Sequence, residues 1–104
     1  MTDHLETRAI LAGRPGGDAD LAPVMHPSTT FELESVDEGR AMATSTGSTT
    51  FYSRYGNPSV AAFESAVADL EGAEAARAFA SGMGAMAAVV LGLCSTGDHI
   101  VTQN

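Results

Sequence analysis

At 104 residues the chain has room for one small domain or part of a larger one. Its hydrophobic fraction of 44% and charged fraction of 17% exclude a disordered composition. A formal charge of -8 argues against nucleic acid and against an anionic membrane surface, both of which select for Lys and Arg.

In chain order, His4–Ala12 reads as a short helix ended by Gly13 and the turn-rich run Arg14-Pro15-Gly16-Gly17-Asp18. Pro23 to Phe31 holds two prolines and reads as extended. Ser35-Val36-Asp37-Glu38 has the capping-box spacing and predicts a helix to about Ala43. Thr44–Thr50, built only of Ser, Thr and Gly, is a loop. Asn57-Pro58 sets an N-cap and a proline at the first helical position. Val60, Phe63, Val67 and Leu70 then fall on one helix face, and Glu71-Gly72 supplies the stop.

Ala76–Ala80 is read as a strand, Ser81–Gly84 as a tight turn, and Met83 to about Leu93 as a helix. That helix is apolar nearly all round and is expected to be buried. Ser95–Asp98 is a second turn and His99–Thr102 a second strand. Together these make a β-α-β unit, which needs a parallel sheet covered on both faces. Two strands cannot supply that sheet, so the chain is expected to stop mid-domain.

Two segments could carry chemistry. In Ser81-Gly82-Met83-Gly84 a glycine turn would leave backbone N–H groups at a helix start, a setting that favours phosphate; a plain tight turn with Ser81 as N-cap is the alternative. In Phe51 to Pro58, Arg54 offers a planar fork and Tyr52 a hydroxyl to an anion; a surface ion pair beside a half-buried tyrosine is the alternative. His4, His26 and His99 are too scattered for a metal site, and a lone Cys94 allows no internal disulfide. Cys94, Met25, Met42, Met83 and Met86 read as packing residues, and Glu64, Asp69 and Glu71 as a solvated helix face. The opening Met1–Glu6 has no apolar core of a secretory signal, and Ala85–Cys94 is too short to span a bilayer, so a cytoplasmic location is expected.

The succession Tyr52-Ser53-Arg54-Tyr55-Gly56-Asn57-Pro58, Phe63-Glu64, Leu70-Glu71-Gly72-Ala73, Phe79 to Met86 and Gly97 to Val101 resembles the trans-sulfuration family of pyridoxal-phosphate enzymes. Thr7-Arg8 and Pro23–Phe31 fit the same opening, with a departure at Val24-Met25. The family includes cystathionine γ-synthase, cystathionine lyases, methionine γ-lyase and homoserine-ester sulfhydrylases. The resemblance implies an α/β, type I aminotransferase-like fold, of which this chain would hold the N-terminal arm (residues 1–56) and the first strands and helices of the large domain (57–104). It implies pyridoxal 5'-phosphate as cofactor, with Gly82 and Met83 holding its phosphate by their N–H groups. Tyr52 and Arg54 would reach the phosphate of a neighbouring subunit, in tetramers built from dimers. The substrate would be a small sulfur amino acid or homoserine ester, undergoing elimination or replacement at its γ or β carbon.

The family attaches its cofactor to a lysine through a Schiff base. This sequence contains no lysine; its basic residues are Arg8, Arg14, Arg40, Arg54 and Arg77, and a guanidinium is no substitute. The chain alone is therefore expected to be inactive and to contribute part of a phosphate cup. Two other readings stand beside this one: a non-catalytic short chain that pairs with relatives through its arm, and a decayed gene piece whose apolar helix would be sticky.

Overall fold

The computed structural model describes residues 4–14, 21–45 and 47–103; most of the Arg14–Asp18 run lies outside them. Four helices occur among these: α1 (Leu5–Leu11), α2 (Val36–Thr44), α3 (Pro58–Glu71) and α4 (Gly82–Leu93). All four stand where the sequence places them, because each boundary is a local decision. Ser35 Oγ accepts the Glu38 N–H at 3.1 Å, and the Glu38 carboxylate accepts the N–H of Glu34 rather than that of Ser35. Asn57 Oδ1 accepts the Ser59 N–H at 2.9 Å, at the second residue of α3, with Pro58 at the first helical position. At the other end the Ala73 N–H reaches back to the Ala68 carbonyl at 2.9 Å, closing α3 at Gly72.

The α3 helix organises the chain. Helix α1 packs on it, fastened by Arg8, whose guanidinium meets the Asp69 carboxylate at 3.2 Å and also donates to the Asp69 backbone carbonyl. Gly13 then crosses α3 so closely that a Cβ there would lie 2.7 Å from the Ala62 carbonyl oxygen, and its φ of 71° is left-handed. The 23–30 segment runs past the start of α3: the His26 N–H donates to Ser59 Oγ at 2.8 Å, and the Asn57 side-chain amide donates to the His26 carbonyl at 2.9 Å. Asp69 therefore belongs to a docking contact.

The expected strands are not formed. Neither Ala76–Ala80 nor His99–Thr102 enters a ladder, and the one β contact among the described residues is an isolated antiparallel bridge between Thr30 and Tyr52. A strand exists only through the N–H and C=O groups of a neighbour, and no neighbour is offered to either segment here. In place of a ladder, the Ala78 N–H donates to Glu64 Oε1 at 2.8 Å, and Arg77 pairs with the other Glu64 oxygen at 3.1 Å. Glu64, whose side chain is only 17% exposed, is thus a tether and not part of a solvated face. The expected burial of the second long helix also fails within this chain: no helix packs on α4, and Met83, Leu91 and Leu93 are 73, 83 and 80% exposed. Met25 and Met86 are likewise exposed and Cys94 half-buried, so these are not packing residues here. Ala68 is the one buried apolar residue among the described ones. The radius of gyration, 17.2 Å, fits this open arrangement, since a compact chain of this length would measure about 13 Å.

Candidate phosphate-binding elements

Residues 51–56 form a turn held at both ends. At its entrance the Ser53 N–H donates to the Thr29 carbonyl at 2.8 Å, and Ser53 Oγ donates to the Ser28 carbonyl. Within it the N–H groups of Tyr55 and Gly56 both point at the Tyr52 carbonyl, at 2.9 and 3.3 Å. At its exit Asn57, 8% exposed, bonds to Ser53 Oγ and to His26. Gly56 lies against the 47–50 loop, where a Cβ would come within 2.6 Å of the Ser48 carbonyl oxygen. These ties leave Arg54 exposed at the apex.

The Arg54 side chain lies over aromatic faces. Its Cζ is 5.0 Å from the Tyr52 ring centroid and 5.4 Å from that of Tyr55, within cation–π range. The two tyrosines meet edge-on at 6.3 Å, and Phe51 stacks on Tyr55 at 6.2 Å. Among the described residues no carboxylate pairs with Arg54; the ion pairs there join Arg8 to Asp69, Arg40 to Asp37 and Arg77 to Glu64. The guanidinium donors therefore have no acidic partner among those residues. Arg54 also borders a cleft of about 360 Å³ lined by Tyr55, Glu64, Arg77 and Phe79.

The second element is the start of α4. Ser81 caps it, its Oγ accepting the Gly84 N–H at 3.0 Å and its carbonyl the Ala85 N–H at 3.0 Å. The first two helical N–H groups, those of Gly82 and Met83, have no hydrogen-bond partner among the described residues. Both residues are exposed, and a Cβ placed on Gly82 would meet nothing within 4 Å. Two donors at the positive end of a helix dipole, with open space before them, suit a phosphate. Ser81 as N-cap and a phosphate seat are therefore compatible, since the cap consumes the third donor and leaves the first two.

Within one chain these two elements stay apart. Gly82 and Met83 do not border the cleft beside Arg54, and no hydrogen bond or ring contact joins them to Tyr52 or Arg54. Sequence reasoning missed three contributors. Tyr55 adjoins Arg54 in the sequence, and that adjacency is the one local signal of its place beside the guanidinium. The reach of Glu64 to Ala78 and of Asn57 to His26 carried no local signal at all. Among the described residues no group of three or more His, Cys, Asp or Glu side chains could hold a metal ion, and no helix is long and apolar enough to cross a membrane.

Comparison with known proteins gives a consistent result. The family described as "Cys/Met metabolism PLP-dependent enzyme" matches the chain over residues 6–104. An O-succinylhomoserine sulfhydrylase of Pseudomonas aeruginosa is 58% identical over 52 residues, covering 50% of this chain and 13% of that protein. An L-methionine gamma-lyase of Pseudomonas deceptionensis is 39% identical over 99 residues, covering 93% of this chain and 25% of the lyase. An O-acetyl-L-homoserine sulfhydrylase of Corynebacterium glutamicum is 38% identical over 101 residues, 94% of this chain and 23% of the relative. The chain thus spans a quarter or less of the length of these relatives. No solved structure matches.

Proposed function

Because this chain belongs to the Cys/Met metabolism family of PLP-dependent enzymes, we propose that it supplies phosphate recognition to a trans-sulfuration enzyme with an aminotransferase-like fold. The observation that carries this reading is the pair of unpartnered N–H groups of Gly82 and Met83 at the capped start of α4. They fit the phosphate end of pyridoxal 5'-phosphate. The aldehyde end finds no lysine amine in these 104 residues, so no attachment to the cofactor is assigned to this chain.

Gly82 and Met83 donate to phosphate oxygens, and the α4 dipole favours their charge. Tyr52 and Arg54, on their braced turn, offer a hydroxyl and a guanidinium fork to the phosphate held by a neighbouring subunit. That division accounts for two half-sites that a single chain does not join. The arm would be residues 1–56 and the start of the large domain 57–104, in a cytoplasmic homotetramer built from dimers. When bound, the cofactor acts as an electron sink for a carbon of the amino-acid substrate. The substrate class is methionine-like amino acids or homoserine esters, matching the names of the relatives, and the reaction is elimination or replacement at the γ or β carbon.

The test is a titration of the ¹⁵N-labelled chain followed at the amides of Gly82 and Met83. Inorganic phosphate and pyridoxal 5'-phosphate should both shift these two signals, and pyridoxal, which lacks the phosphate, should not. Equal responses to pyridoxal and to its phosphate, or silence at both amides, would sink the reading.

A further inference from the structure

We propose that Tyr55 is a positioning residue for Arg54: its ring, braced by Phe51, holds the guanidinium over the turn so that the fork is presented to a phosphate already oriented. This rests on the reading of Arg54 as a phosphate ligand and adds a residue to it.

The geometry carries the inference in three steps. Arg54 is exposed at the apex of its turn, and no acidic side chain among the described residues holds it. An arginine in that position would ordinarily sample many rotamers, and ordering it on ligand binding would cost affinity. Here its Cζ lies over two tyrosine rings at 5.0 and 5.4 Å, which restricts the side chain before any ligand arrives. The rings are themselves in contact: Tyr52, on a backbone bridged to Thr30, meets Tyr55 edge-on at 6.3 Å, and Tyr55 stacks on Phe51 at 6.2 Å with an interplanar angle of 29°.

Aromatic faces suit this task better than a carboxylate. An acid would occupy the N–H donors and add a negative charge beside the incoming phosphate. A ring attracts the cation through its face and leaves the donors in the guanidinium plane free. Tyr52 is expected to spend its hydroxyl on the ligand, whereas Tyr55 needs only its ring. The two tyrosines therefore separate by the consequence of losing the hydroxyl: Tyr55→Phe should be silent.

The experiment follows the Arg54 Nε–Hε signal of the ¹⁵N-labelled full chain, assigned by its loss in Arg54→Gln. It is read first without ligand and then with inorganic phosphate, titrated far enough to register millimolar affinity. In the free chain the signal should carry a ring-current shift that Tyr55→Phe keeps and Tyr55→Leu reduces. Phosphate affinity at Arg54 should be unchanged in Tyr55→Phe and about two- to fivefold weaker in Tyr55→Leu, the effect of one exposed cation–π contact. If the Ser53 amide shows that the turn loosens in Tyr55→Leu, Tyr55→Trp decides: affinity at or above that of the unsubstituted chain supports the role, and a fall overturns it. An Arg54 signal and affinity that Tyr55→Leu leaves unchanged, in a chain that does respond to phosphate, overturns the positioning role alone. No phosphate response at Arg54 in the unsubstituted chain overturns the phosphate reading of that residue and this inference with it.

Discussion

The side-chain amide of Asn57 donates to the carbonyl of His26 at 2.9 Å while its oxygen caps α3 at Ser59, so one buried residue joins the N-terminal segment to the longest helix. Replacing it separates the two jobs. Asn57→Asp keeps the capping oxygen but loses the N–H donor and sets a carboxylate against the His26 carbonyl. Asn57→Ala loses both. The expected order of α3 and turn protection in amide exchange is unsubstituted, then Asp, then Ala. The Ala variant should lose about 1–3 kcal/mol locally, from the cap and from the part-buried His26 carbonyl left without its donor. An Asp variant as well protected as the unsubstituted chain would show that the tie to His26 contributes nothing, and equal effects of Asp and Ala would show that the cap contributes nothing.

Glu64 holds the 76–80 segment by two contacts of unequal weight. Arg77 is 75% exposed, so the ion pair should contribute little. The bond from the Ala78 N–H is part-buried and should contribute more. Glu64→Gln, which retains an acceptor for that N–H, is expected to leave Ala78 exchange nearly unchanged. Glu64→Ala should accelerate it by about five- to tenfold, corresponding to roughly 1 kcal/mol for a typical hydrogen bond.

Ser81→Ala removes the acceptor of the Gly84 N–H at the start of α4. The first turn should fray, with a local loss of about 0.5–2 kcal/mol, read as faster exchange at Gly84 and Ala85. Phosphate affinity at Gly82 and Met83 should fall with it, because those two donors are aligned only while the turn is formed. Ser81→Asp restores the cap but places a negative charge beside the phosphate seat, so it should recover helix protection without recovering phosphate binding.

Gly56→Ala puts a methyl group 2.6 Å from the Ser48 carbonyl oxygen, closer than two such atoms approach. The 47–50 loop or the turn must move, at a cost of about 1–3 kcal/mol. The visible consequence should be at Arg54, whose Nε–Hε signal should lose its ring-current shift as the turn is displaced.

Met83, Met86, Leu91 and Leu93 of α4 are all exposed. Apolar surface of that kind promotes association. The 104-residue chain should self-associate with rising concentration in sedimentation, and Leu91→Glu with Leu93→Glu should suppress this without loss of α4 helicity by circular dichroism.

What short-range chemistry decides is legible in the sequence alone. Asn57-Pro58 and Gly72 bound α3, Ser35 starts α2 and Ser81 starts α4, because a capping residue and the N–H it satisfies lie within three positions of each other. The order of motifs from Tyr52 to Val101 likewise sufficed for the family, and the missing lysine is a fact of the sequence alone. Tertiary structure decided what depends on residues far apart in the chain. Asn57 and His26 are 31 positions apart, Arg8 and Asp69 61, and Glu64 and Ala78 14, and no local pattern announces such pairs. The strand expectations failed for the complementary reason: His99–Thr102 carries β-branched residues and Ala76–Ala80 has little pattern of its own, but in either case a strand is a property of two segments and neither finds its partner here. Arg54 shows both levels at once. Its chemistry was legible from residue type, while its suspension over Tyr52 and Tyr55, which makes that chemistry directional, required the turn to be closed against Thr29 and Ser48.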